Sequence, residues 1–233
     1  MRKMKTHIDG FDEILDGGIP EGHVVLICGT PGTMKTSVTY SIMYENAKRE
    51  GYKGLYISLE ESYEGLKGAM LDLKMSDIDK LPVFMIDVGK IRKAHPEQEV
   101  SKGWLKILEK YLKKRVEDDD FDIVVIDSLA ALYSLTELSN PRADLFHFIR
   151  FLKELGPTVF LISEISHGST KLVANDEDFL ADGIIHLMMH EAGDSDIQLR
   201  INCIKMRRTK HQRGWFRLMH GDSGFMVTPI ISD

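Results

Sequence analysis

The stretch from Val24 to Thr36 constrains this chain more than any other. Val24-Val25-Leu26-Ile27-Cys28 is an unbroken apolar run, as expected for a strand covered on both faces. Gly29-Thr30-Pro31-Gly32-Thr33-Met34-Lys35-Thr36 follows it, and apolar residues then recur with helical spacing at Val38, Ile42, Met43 and Ala47. The turn meets the pattern G-x-x-x-x-G-K-[ST] at every fixed position except Met34, which stands where the second glycine belongs. A tight turn between a buried strand and a helix aims main-chain N–H groups at a phosphate chain, and the positive end of the helix adds to the attraction. Thr30, Pro31, Gly32, Thr33, Met34, Lys35, Thr36 and Ser37 are therefore the candidate nucleotide-binding residues. Lys35 is expected to reach the β- and γ-phosphates, and Thr36 to place its hydroxyl on Mg2+. If position 34 needs a positive φ, a side chain there costs about 1–2 kcal/mol. Several charge-assisted phosphate contacts outweigh that cost, so binding is expected to survive and fast turnover is not.

Acidic residues close two other apolar runs. Gly54-Leu55-Tyr56-Ile57-Ser58-Leu59 reads as a strand ending on Glu60-Glu61. Ligands of open α/β sheets sit at the carboxyl ends of strands, and a carboxylate there can orient and deprotonate a water. Beside the phosphate loop, one of this pair is a catalytic candidate; the alternative is that Glu60-Glu61-Ser62 simply opens the next helix. Phe121-Asp122-Ile123-Val124-Val125-Ile126-Asp127 is a second such run, and Asp127 is a Walker B candidate for holding Mg2+. Ser128 follows it, either near the metal's water shell or as a helix start.

At 233 residues, with 43% apolar residues, one domain is expected. Within it, residues 1–20 read as a lead-in that packs beside the first strand, 21–165 as a parallel core, 166–178 as a mobile loop and 179–233 as an antiparallel extension. A strand at Val83–Asp87, a loop over 89–100, a helix face from Trp104 to Leu112, a capped helix from Asn140-Pro141 and a strand from Thr158 to Ser163 fill the core. The extension is read as strands at 183–189, 197–206, 214–220 and 224–228 with no helices between them. The fold class is therefore α/β, a mostly parallel twisted sheet with helices on both faces.

The net charge of −6 argues against a dedicated nucleic-acid binder. So does the loop over 166–178, where one Lys stands against Asp176, Glu177 and Asp178. Cys28 and Cys203 read as small buried residues, not a disulfide or metal site. His186 and His190 lack a third ligand, so no zinc site is expected. No run approaches transmembrane length and no apolar segment follows the basic start, so a cytoplasmic protein without a membrane partner is expected. Lys205 to Arg213 is the most basic stretch, readable as a surface turn, a nucleic-acid contact or a phosphate contact. Lys205 and Arg207 lie two apart on a strand and point the same way, which suits two cations aimed at one anion.

These motifs in this order resemble the KaiC branch of the RecA-type P-loop ATPases. I-D-G-F-D-E-I-L-D-G-G-I-P, the phosphate loop, Y-I-S-L-E-E-S, I-V-V-I-D-S and K-M-R-R-T-K-H carry the resemblance nearly end to end. The single-domain members are the nearest in form. The resemblance implies a RecA-type core, ATP or ADP with Mg2+, and a homo-oligomeric ring, commonly a hexamer. It places the catalytic glutamate at Glu60 or Glu61. It implies that Lys205 and Arg207 reach the γ-phosphate held by the next subunit, as arginine fingers do, and that His211 falls near the nucleotide. Kinase-active members carry a Ser-Thr pair where this chain has Asp178-Phe179, so autophosphorylation there is not expected. The expected activity is slow, Mg2+-dependent ATP hydrolysis. The alternatives are a non-hydrolysing ATP-dependent assembly or signalling module that serves a protein partner and, less favoured, a recombinase-like DNA binder.

Overall fold

The structure, a computed structural model, describes residues 1–94, 103–138, 140–166, 168–169, 171–193 and 196–230. The chain begins with β1 (Lys3–Met4), α1 (Phe11–Ile14), β2 (Ile19–Pro20), β3 (Val24–Gly29) and α2 (Lys35–Glu50). It continues through β4 (Gly54–Ser58), α3 (Tyr63–Asp72), a short 3-10 turn (Ile78–Lys80), β5 (Val83–Asp87) and α4 (Val88–Ala94). Then come α5 (Trp104–Asp119), β6 (Ile123–Asp127), α6 (Leu129–Leu135), α7 (Pro141–Glu154) and β7 (Thr158–Glu164). The last elements are α8 (Glu177–Leu180), β8 (Gly183–Ala192), β9 (Asp196–Met206), β10 (Phe216–Gly221) and β11 (Gly224–Pro229).

A nine-stranded sheet in the order β11-β10-β9-β8-β3-β7-β6-β4-β5 organises the molecule, and β1 and β2 form a separate pair. The centre, from β8 to β5, is parallel. The strands outside β8 are antiparallel. Helices cover both faces because successive side chains of the central strands alternate between two cores. Val25 and Ile27 pack with Val38, Ile42 and Leu66 from α2 and α3. Val24, Leu26 and Cys28 pack with Leu108, Leu132, Phe148 and Leu152 from α5, α6 and α7. Local signals bound the helices as the chain suggests: Gly51 closes α2 in the left-handed region (φ 73°), and Asn140 opens α7, its side chain accepting from Ala143 N ahead of Pro141.

Three expectations need correction, and a fourth, the packing of the lead-in, gains detail. Residues 88–94 are helical rather than a loop; the rest of that expected loop, 95–100, lies outside the described residues. β8 is not antiparallel to the core: it pairs parallel with β3, and only its other edge, toward β9, is antiparallel. The lead-in packs its apolar side chains on the α2 face of the core, but its main chain bonds the far edge: Asp9 N donates to Phe225 O at 3.0 Å and Val227 N to Asp9 O at 2.8 Å. The 166–178 segment, in which residues 167 and 170 lie outside the described set, is anchored at its end. Glu177 there is fully buried, accepting from the Tyr133 hydroxyl and from Asn175 N. Among the described residues no helix is long and apolar enough to cross a membrane.

Candidate functional site

The phosphate loop closes through its own main chain. A Cβ on Gly29 would lie 2.5 Å from Leu187 O and from Thr33 Oγ1, so only glycine fits between β3 and β8 there. Gly32 sits at φ 85°. Met34 caps α2 in the left-handed conformation, φ 61° and ψ 28°, which is the demand a glycine meets without strain. Its side chain packs against the core on the α2 face, which offsets part of the cost. Thr33 Oγ1 and Lys35 Nζ both donate to Thr30 O, at 2.8 and 3.0 Å, fixing the turn.

Three strand tips converge on this loop. Ser58 at the end of β4 lies opposite Asp127 at the end of β6, and Glu164 at the end of β7 lies opposite Gly29. Thr36 Oγ1 donates to Asp127 Oδ2 at 2.8 Å, and the Tyr56 hydroxyl donates to the same oxygen at 2.6 Å. Burial raises the Asp127 carboxyl above its ordinary value, against the pull of Tyr56, Thr36 and Lys35. Burial lowers the Lys35 ammonium, opposed by the charges of Glu164 and Asp127. Ser128 caps α6, its hydroxyl accepting from Ala131 N at 3.3 Å, so the helix-start reading holds for it. The Asp127–Ser128 peptide is cis.

Glu60 and Glu61 lie in the turn between β4 and α3, outside the helix that Ser62 caps. The Glu60 side chain is exposed, yet partial burial and the nearby charges of Glu164 and Asp127 raise its carboxyl above the ordinary range. The main-chain carbonyl of Glu61 accepts from Ser58 Oγ at 2.6 Å, which ties the turn to the strand. Two residues near this centre were missed in the sequence. Tyr56 looked like one more apolar strand residue. Glu164 had a usable signal, an acid ending the strand beside the phosphate-loop strand.

Lys205, Arg207 and His211 are elsewhere. Lys205 Nζ donates to Asp178 O at 2.8 Å and Ala181 O at 2.7 Å. Arg207 Nη1 donates to Asp182 Oδ1 at 3.0 Å, and Lys153 Nζ meets the same oxygen at 2.8 Å. As expected, the two cations point to one region, but in this chain that region is residues 178–182. Arg207 N donates to Asp182 O, and Asp182 N to Val24 O. Arg207 thus sits level with the start of β3, about 17 Å along the strand from Gly29 at ~3.3 Å per residue. Neither cation reaches the phosphate loop of its own chain. His211 follows β9 close to the end of α1, where Gln212 N donates to Ile14 O at 2.8 Å; both its ring nitrogens are buried without a partner.

Comparisons with known proteins bear on the family and the fold. A family model described as "ATPase: KaiC" matches residues 4–231. A UPF0273 protein of Thermotoga maritima is 31% identical over 98% of this chain and 97% of its own length. The circadian clock oscillator protein KaiC of Rippkaea orientalis is 28% identical over 99% of this chain, which spans 44% of that longer protein. Among solved structures, the KaiC-like protein PH0186 of Pyrococcus horikoshii superposes with a TM-score of 0.82 at 27% identity, over 98% of this chain and 99% of that one.

Proposed function

The chain belongs to the KaiC ATPase family, and we propose that it binds ATP with Mg2+ and hydrolyses it slowly in a pocket that a neighbouring copy completes. One observation carries the reading: the Thr36 hydroxyl, the Asp127 carboxylate and the Lys35 ammonium meet at the mouth of a phosphate loop. The donor set, a hydroxyl and a carboxylate with further carboxylates nearby, is the hard-oxygen kind that suits Mg2+ shared with substrate phosphates. Among the described residues no cluster of three or more His, Cys, Asp or Glu is placed to hold a metal alone.

In this reading the main-chain N–H groups from Gly32 to Thr36 and Lys35 hold the phosphates, and Thr36 and Asp127 hold the cation. A cation held there would supply charge neutralisation for the bound phosphates. Glu60 accepts a proton from the attacking water, with Glu61 supporting it, and its raised affinity for protons suits a base. Lys205 and Arg207 enter the pocket of the next subunit and offset the charge on the transferred phosphoryl group. Their separation from the phosphate loop of their own chain supports action in trans. A head-to-tail interface of this kind closes into a ring, and a hexamer is the proposed assembly.

Glu60→Gln tests the catalytic assignment. Turnover is expected to fall about 10³-fold with ATP still bound, and undiminished phosphate release would reject it. Met34 favours a second reading, an ATP-dependent assembly module without turnover, since a strained residue occupies the loop where glycine is relaxed. Single-turnover phosphate release that depends on Glu60 ends that reading.

A further inference from the structure

Asp127 receives two donors on one oxygen. Thr36 Oγ1 and the Tyr56 hydroxyl both bond Oδ2, and the Tyr56 bond, at 2.6 Å, is the shorter. Tyr56 is fully buried in the middle of β4, between Leu55 and Ile57. Its ring packs against Tyr40 with centroids 5.4 Å apart. Packing alone asks for an apolar side chain at such a place, because a buried hydroxyl is costly without a partner. Strand register supplies the partner: Tyr56 pairs with Val125 and Ser58 with Asp127, so the ring lies one pleat below the carboxylate. With Oδ2 committed to two hydroxyls, Oδ1 is the oxygen left to a ligand.

We infer that Tyr56 is a positioning residue: its hydroxyl locks the Asp127 carboxylate so that Oδ1 faces the divalent cation that accompanies the nucleotide. The inference rests on the proposed role of Asp127 as a cation ligand. A carboxylate held by Thr36 alone rotates about its terminal torsion, which is broad and two-fold. Two donors at one oxygen restrict that rotation before the cation arrives, so less ordering is left for binding. The Tyr40 hydroxyl, by contrast, lies 3.8 Å from Met85 Sδ and takes no part in the carboxylate's bonds.

The test uses the full chain and a fluorescent ATP analogue, titrated first in EDTA and then with Mn2+ added to the protein–nucleotide complex. Tyr56→Phe is expected to weaken Mn2+ about tenfold, the effect of losing a charge-assisted hydrogen bond. Analogue binding in EDTA should stay within about twofold, because the phosphate loop does not use Tyr56. Tyr40→Phe removes the neighbouring buried hydroxyl, which faces Met85 Sδ and not the carboxylate, and should change neither constant. Where Tyr56→Phe does not fold, Tyr56→Met removes the hydroxyl with a side chain that adapts to gaps. Unchanged Mn2+ affinity in the hydroxyl-less variant overturns the inference, as does an equal loss in EDTA and in Mn2+, which marks a purely structural role. A wild-type complex indifferent to Mn2+ overturns the reading of Asp127 itself, and is distinguished because no variant is needed to see it.

Discussion

Two ends of one sheet hold the two groups of residues that the proposed pocket would join, and they are built differently. Toward the carboxyl ends of β3, β4, β6 and β7, Thr36 and Tyr56 already bond Asp127 at 2.8 and 2.6 Å, and Lys35 bonds the Thr30 carbonyl at 3.0 Å. At the start of β8 and the end of β9, Lys205 and Arg207 are held by the carbonyls and carboxylate of residues 178–182 of their own chain. The first half is complete within one chain and preorganised. The second is rigidly mounted but faces away from the phosphate loop beside it. A rigid mount helps a charge that must be presented to another molecule, because little side-chain freedom is left to lose on contact.

The comparison is broken most severely by Arg207→Ala. Loss of a trans-acting guanidinium should reduce turnover about 10³-fold at saturating ATP; a rate within twofold of the wild type removes the second half from the mechanism. Next comes affinity. Lys35→Ala should weaken ATP binding about 100-fold, whereas Lys205→Ala, measured on dilute unassembled subunits, should leave it unchanged. Equal losses in fluorescence titration would mean that both cations serve one pocket in cis.

Acid sensitivity separates the halves further. Burial pushes the Asp182 carboxyl up, but bonds from Lys153, Val24 N and Arg207 outweigh it and leave the group below its ordinary value. A depressed carboxyl stabilises the fold above its unfolded value, and that contribution is lost as pH falls through the folded value. Asp182→Asn should therefore cost about 2 kcal/mol at neutral pH. It should also flatten the loss of stability below about pH 4 that urea titrations of the wild type are expected to show. A parallel acid profile in the two proteins would deny Asp182 this role. The smallest expected effect is at Met34. Met34→Gly relieves left-handed strain of about 1 kcal/mol and loses core packing of similar size, so ATP affinity and Tm should barely move. A large gain in affinity would show that the strain reaches the phosphate contacts.

The central strands were legible because each is buried on both faces and bounded by glycine, proline or acid: β6 runs from Ile123 to Asp127, as its pattern implies. The phosphate loop was legible as a strand–turn–helix, with a positive φ at Met34 only a condition to be met, and the structure supplies it. The direction of β8 was not, because parallel or antiparallel pairing is decided by a partner far away in the chain. α4 was hidden by its polar residues and by Pro96 downstream. Among the site residues, Glu60 and Asp127 declared themselves as acids at strand tips. Tyr56 did not, because a buried tyrosine in an apolar strand has the same pattern whether it packs or donates. Lys205 and Arg207 stood out by charge and spacing, while the register that turns them from their own phosphate loop belongs to the fold.

The most direct test mixes two inactive proteins, Glu60→Gln and Arg207→Ala, after dissociation and reassembly. If each pocket joins a Glu60 from one chain to an Arg207 from the next, random mixing makes about a quarter of the pockets whole. ATPase activity should then rise to about that fraction of the wild-type rate, well above either variant alone. Mixed assemblies no more active than the separate variants would contradict a pocket shared between copies.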